Sequence, residues 1–167
     1  MSIGLLILRL VEGLSLAAHG AQKLFGWFGG YGLQGTGGFL EKLGFVPGRR
    51  NALFAGLAEF GGGLLLALGL ATPLAATLII SVMFVAVATV HFKNGLFNSN
   101  QGYEYNLTLA TVALSIAIIG AGRLSLDAAL RIHDAGPVWG LAALVAGLAG
   151  GAMQLATRRA PAAQKAG

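Results

Sequence analysis

The sequence contains no cysteine in its 167 residues. That absence excludes disulfides, a thiol redox relay, iron–sulfur ligation and any thiolate metal site. Charge is nearly as scarce, at 10% of residues against roughly 25% in a soluble domain. There is no His-x-x-x-His pair to mark a metal site, so no metal is expected. No basic segment precedes the first apolar run and no small-residue cleavage site stands out. Ile3 onward therefore reads as a retained helix rather than a secretory signal.

What is present is apolar and small. Hydrophobic residues make up 56% of the chain, with 27 glycines and a mean hydropathy of +0.75. So many glycines suit transmembrane helices whose backbones approach closely. The net charge of +5 sits at segment ends, where it sets topology, and implies no nucleic acid.

Five apolar stretches approach the roughly 20 residues that a bilayer core requires. They run from Ile3 to Leu24, Asn51 to Leu70, Pro73 to Phe92, Tyr105 to Ala121 and Pro137 to Ala156. Thr72-Pro73 predicts a break with Thr72 as N-cap and Pro73 at the first helical position. The fourth stretch is short and needs Tyr103 or Leu124 to complete its span. Small residues recur every four positions at Ala113, Ala117 and Ala121, and at Ala143, Gly147 and Gly151, which reads as helix packing. The glycine- and aromatic-rich connection from Phe25 to Arg50 is long enough to suggest function. Within it, Gly38 to Phe45 reads as a short amphipathic turn ending at Pro47. Five spans place Lys42, Arg49, Arg50, Lys93, Arg158, Arg159 and Lys165 at one membrane face, with Arg123 and Arg131 at the other. This bias predicts an N-terminus outside and a C-terminus in the cytoplasm.

The first stretch carries charge on one side only. At about 100° per residue, Arg9, Glu12, His19 and Lys23 fall within an arc of roughly 80°, with Leu16 among them. Ionisable groups inside a bilayer persist where they face protein, water or each other. Arg9 and Glu12, three residues apart, are placed to neutralise each other. Alternation of the spans then delivers His19, Lys23, Glu59, His91, Glu104 and Asn106 to one half of the membrane, beneath the glycine-aromatic connection. Glu59, flanked by glycines in Leu57-Ala-Glu-Phe-Gly-Gly-Gly63, needs a partner if buried. Each group has a plainer explanation too: Lys23 and Lys93 as snorkelling side chains, Glu104 as a helix-start acid, the aromatics as interfacial residues. The glycine-rich segments follow no strand, so phosphate-loop assignments fail on context.

His19-Gly-Ala-Gln-Lys-Leu-Phe-Gly26, Glu59-Phe-Gly-Gly62, and His91 followed by Gly102-Tyr-Glu-Tyr-Asn106 together resemble the DoxX family of small bacterial membrane proteins, over about Leu6 to Leu130. The resemblance implies an all-α integral membrane protein: a DoxX-like four-helix bundle over 1–130, here followed by a fifth transmembrane helix within 131–157 and a basic cytoplasmic tail at 158–167. It also implies the bacterial cytoplasmic (inner) membrane and association with redox complexes, since the family takes its name from a terminal-oxidase subunit and related DoxD proteins belong to a thiosulfate:quinone oxidoreductase. Any thiol chemistry would have to come from a partner.

The leading expectation is a subunit of a membrane oxidoreductase holding a quinone or similar apolar redox molecule. Glu59, His19 and His91 are the candidate proton-handling residues. Lys23, Trp27, Tyr103, Glu104 and Asn106 are the candidate cofactor-binding residues, with Trp27, Phe28 and Tyr31 as an apolar lid. The alternatives are a small-molecule carrier, disfavoured by the lack of a clear inverted repeat, and a non-catalytic assembly or anchor subunit. A protein partner or a homo-oligomer is expected.

Overall fold

A computed structural model of the chain describes residues 2–159. It is all-helical. The main helices are α1 (Ser2–Phe25), α2 (Gly32–Lys42), α3 (Gly48–Leu68), α4 (Thr72–Ala86), α5 (Glu104–Ile119), α6 (Leu126–Ala129) and α7 (Pro137–Ala156). A wide π-helical turn at Val87–His91 and a tight 3-10 turn at Phe92–Asn94 prolong α4. Four segments are long and apolar enough to cross a bilayer: Ile3–Phe25, Gly48–Leu68, Thr72–Asn94 and Pro137–Ala156. With α5, a shorter apolar helix of 16 residues, they form an integral membrane bundle in which α7 packs along α4 and α5.

Because the helices alternate, Lys42, Arg49, Arg50, Lys93, Arg158 and Arg159 gather at one end, here called the basic end. Arg123 and Arg131 lie at the far end. Lys165 falls outside the described residues, as does the basic tail beyond Arg159.

Lipid tails are as apolar as leucine, so helices in a bilayer associate through close van der Waals packing rather than hydrophobic burial. The α1–α3 contact shows the device. A Cβ at Gly13 would stand 2.5 Å from the Gly63 carbonyl oxygen, and a Cβ at Gly63 would stand 2.5 Å from the Ala17 nitrogen. Gly20 lies equally tight against the Phe60 backbone. On α7, Ala143, Gly147 and Gly151 are buried, with Gly147 against Ile80 and Gly151 against Phe84 of α4. Between these contacts lies an apolar core that includes Leu16, Leu66, Ile79, Met83, Leu109 and Ile116.

Three expectations are corrected. The Phe25–Arg50 connection is not an open loop with one short turn; Gly32–Lys42 is an 11-residue helix. Its four glycines each cost about 1 kcal/mol of helix propensity relative to alanine, so its order comes from tertiary contacts. Gly37 sits tight against Gly48 and Arg49 of α3, and the Glu41 carboxylate accepts the Gly48 N–H at 2.8 Å. Thr72 is not the N-cap of α4. Ala71 holds that place, and the cap is supplied from α6, 55 residues away, by Asp127. The Asp127 carboxylate accepts the Ala71 N–H at 2.8 Å, the Thr72 N–H at 3.2 Å and the Thr72 hydroxyl at 2.5 Å. Finally, Arg9 and Glu12 form no ion pair with each other; the Arg9 guanidinium instead donates to the Leu124 carbonyl at 2.5 Å. Gly69, with φ of 63°, leaves the space that this guanidinium occupies.

The glycine seam is testable. Gly63→Leu should lower stability by about 1–3 kcal/mol or more through overpacking. Gly61→Ala, whose new Cβ meets nothing within 4 Å, should be neutral or slightly stabilising. Thermal unfolding in detergent, followed by circular dichroism, measures both.

Candidate functional site

At the basic end, α1, α2, α3, α4 and α7 surround a cavity of about 370 Å³. The seam between α1 and α3 determines what faces it. Lys23 lies one turn beyond Gly20 on α1, and Glu59 neighbours Phe60, which Gly20 touches. Close backbone approach therefore brings Lys23 Nζ into a direct ion pair with Glu59 Oε2. Glu59 is buried, with 6% of its side chain exposed against 30% for Lys23. Among the described residues this is the only ion pair.

His91 enters the cavity from the π-helical turn. Its Nδ1 lies 2.7 Å from the Gln101 carbonyl, which can only accept, so Nδ1 carries the proton. In the neutral ring, Nε2 is left as an acceptor. Asn51 and Gln154 close the opposite side: Gln154 Nε2 donates to Asn51 Oδ1 at 2.7 Å, and Asn51 Nδ2 donates to the Pro47 carbonyl at 2.8 Å. Ser81 and Thr89 also line the cavity. The rest of the wall is apolar, from Phe39 and Leu40 of α2, Leu43 and Phe45 just beyond it, Phe54 of α3, and Val82 and Val85 of α4.

The family model for DoxX matches residues 4–92. The chain belongs to the DoxX family. It is 32% identical over 125 residues to "Putative oxidoreductase CatD" of Bacillus subtilis (strain 168), an alignment taking in 75% of this chain and 85% of that protein. No solved structure matches. The DoxX match contains Lys23, Glu59, His91 and the α2 wall, and leaves α5 and α7 outside it.

Of the residues singled out from the sequence of this DoxX protein, Lys23, Glu59 and His91 meet at the cavity. Others do not. Tyr103 stacks on Phe92, with ring centroids 6.1 Å apart. With Asn106 it lines a separate, almost wholly apolar cleft of about 420 Å³ among α4, α5 and α7. Glu104 accepts the Asn98 N–H at 2.9 Å and so closes the 92–103 connection. Trp27, Phe28 and Tyr31 are exposed and form no lid; the wall attributed to them belongs to α2 and Phe45. The 26–30 turn acts instead through its backbone. Gln22 Nε2 donates to the Phe28 carbonyl at 3.0 Å, which aims Gln22 Oε1 at His19 Nδ1, 3.2 Å away.

His19 stands behind the cavity rather than in it, with Nε2 3.5 Å from the Tyr105 hydroxyl. Tyr105, Asn51 and Gln154 were not singled out from the sequence. Asn51 and Gln154 are 103 residues apart and carry no motif, whereas Tyr105 lay inside the Gly102-Tyr-Glu-Tyr-Asn106 signature. Among the described residues, no group of three His, Asp or Glu side chains is placed to hold a metal ion.

Breaking the pair from one side should cost more than removing both partners. Lys23→Met strands the Glu59 carboxylate and should lose about 3 kcal/mol, the lower end for a buried pair because Lys23 is partly exposed. Adding Glu59→Leu should recover most of that loss. Equilibrium unfolding in mixed micelles reads the difference.

Proposed function

We propose that this DoxX protein is a subunit of a membrane oxidoreductase whose basic-end cavity receives the head group of a quinone or a similar apolar redox molecule. The observation that carries this proposal is one buried carboxylate–ammonium pair, with a histidine acceptor beside it, set in an otherwise apolar cavity of head-group size. The name of the Bacillus subtilis relative, an oxidoreductase, supports the same class.

The residues fit such a ring. Lys23 donates one N–H hydrogen bond to Glu59 and has other N–H groups to offer a carbonyl oxygen. His91 Nε2, held as an acceptor, can take a hydroxyl proton. Glu59 holds Lys23 in place through their ion pair, and the phenylalanine and leucine side chains of α2 and α3 exclude water. A bound quinone would supply the electron and proton chemistry that these side chains lack. With no cysteine in the sequence, electrons would arrive from a partner protein, and Arg158 and Arg159 lie at the same membrane end as the cavity. The proposed setting is the bacterial inner membrane, with the basic end in the cytoplasm.

Binding of a short-chain quinone to the protein in lipid nanodiscs, followed by isothermal titration calorimetry, tests the proposal. Wild type should bind. Lys23→Gln should weaken binding by about tenfold, or ~1.4 kcal/mol, and Tyr103→Phe, on the separate cleft, should leave it unchanged. Wild-type protein that binds no quinone overturns the proposal.

A further inference from the structure

The turn that ends α7 grips one wall of the cavity. Arg158 Nε donates to the Leu43 carbonyl at 2.9 Å, and the guanidinium lies over the Phe45 ring, 5.6 Å from its centroid. The Arg159 N–H donates to the Gly44 carbonyl, also at 2.9 Å. One turn earlier on α7, Gln154 donates to Asn51 of α3 at 2.7 Å. Leu43, Gly44 and Phe45, the corner between α2 and α3, are thus each held by Arg158 or Arg159. Gly44 is suited to its place: its φ is 91°, and a Cβ there would run into the Arg159 carbonyl.

Helix physics explains the grip. Leu43 is the C-cap of α2, and the last carbonyls of a helix lack intrahelical donors and carry partial negative charge, so a cationic donor suits them. The N–H groups of the corner already turn back onto α2, Gly44 to Glu41 at 2.9 Å and Phe45 to Leu40 at 3.0 Å. Its carbonyls are what remain, and the end of α7 takes them. Leu43 and Phe45 line the cavity, and Phe45 is only 2% exposed.

The opposite edge of the cavity is of another kind. Of the lining residues, Phe39, Phe54 and Gly150 are the exposed ones. None is polar, and every polar lining residue is buried or half-buried. An opening edged by two phenylalanines and a glycine matches hydrocarbon, whereas polar groups in a bundle turn inward.

We infer that the end of α7 is a latch, with Arg158 as its positioning residue: it holds the α2–α3 corner shut toward the aqueous basic end, and the cavity fills from the bilayer past Phe39, Phe54 and Gly150. Any occupant must then partition into hydrocarbon, and a water-soluble anion is excluded even though Lys23 lines the cavity. Arg158 touches no occupant and acts through Leu43 and Phe45. The latch gives α7, outside the DoxX match, a part in the site. It rests on the proposed function only for the identity of the occupant.

The sequence has no cysteine, so Leu43→Cys puts a single thiol in the cavity wall. Two maleimides, applied to the quinone-free protein in nanodiscs, then test the latch, each rate being taken relative to that with a free thiol. A sulfonated maleimide, confined to water, should label slowly. Adding Arg158→Ala should speed it about tenfold, the scale of one lost hydrogen bond to a charged group. Adding Arg50→Ala, which removes an exposed cation at the same end, should change nothing. N-cyclohexylmaleimide, which partitions into the bilayer, should label the latched protein faster than the sulfonated reagent, and Gly150→Leu should slow it by a similar factor. A rate unchanged by Arg158→Ala overturns the latch. So does equal acceleration at Ala121→Cys, a buried far-end position, because that would be general loosening. Faster labelling of the latched protein by the sulfonated reagent overturns entry from the bilayer. Should Arg158→Ala fail to fold, Gly44→Ala breaks the latch from its other side and decides instead. Failure of quinone binding would leave these rates unchanged, so the two proposals fail separately.

Discussion

The close approach of α1 and α3 at Gly13, Ala17, Gly20 and Gly63 is the constraint on which the rest depends. Two helix backbones can come this near only where no side chain intervenes, and in a bilayer that nearness is the main source of attraction between them. One turn from the seam, it leaves room for a single long side chain and a single carboxylate to meet. The Lys23–Glu59 pair is therefore a product of packing as much as of charge. Were the helices a few ångströms further apart, the two ions would face lipid or water separately, at a cost the fold could not easily carry.

The polar groups divide into two clusters with different work. At the far end, Asp127, Thr72, Arg9 and Leu124 tie α1, α4 and the α5–α6 connection together through buried hydrogen bonds. These are structural bonds whose acceptors are already occupied. At the basic end, Lys23, His91 and Ser81 keep donor or acceptor capacity directed at open space. Unspent hydrogen-bonding capacity beside a cavity, rather than charge alone, separates a candidate site from a clasp.

Much of the fold was legible because its signals are local. Hydropathy drew spans that end within a few residues of the helices, and Pro73 and Pro137 marked starts because proline fits a first helical turn. The stripe on α1 followed from helix geometry. What was missed depends on distant contacts. Gly32 to Lys42 has poor intrinsic helix propensity and is ordered by α3, so its sequence read as a loop. The cap on α4 comes from Asp127, and Asn51 meets Gln154 across most of the chain; neither pairing has a spacing to read. Tyr103, Glu104 and Asn106 were grouped with Lys23 because depth was legible and rotation about the helix axis was not.

Rotation also gives the wide turn at Val87–His91 its meaning. A π-helical turn holds one residue more than an α-helical turn, so each side chain beyond it is displaced by about 100° around the axis. Val85 precedes the turn and His91 closes it, yet both look into the same cavity, while Phe92 looks into the other cleft. A single helix thus serves two unlike compartments from adjacent positions, like a wall with a room on either side. The extra residue works as a phase shift in the helix, of the kind that insertion of one codon would leave. It gives α4 a histidine at the cavity without disturbing the contacts that its earlier turns make with α7.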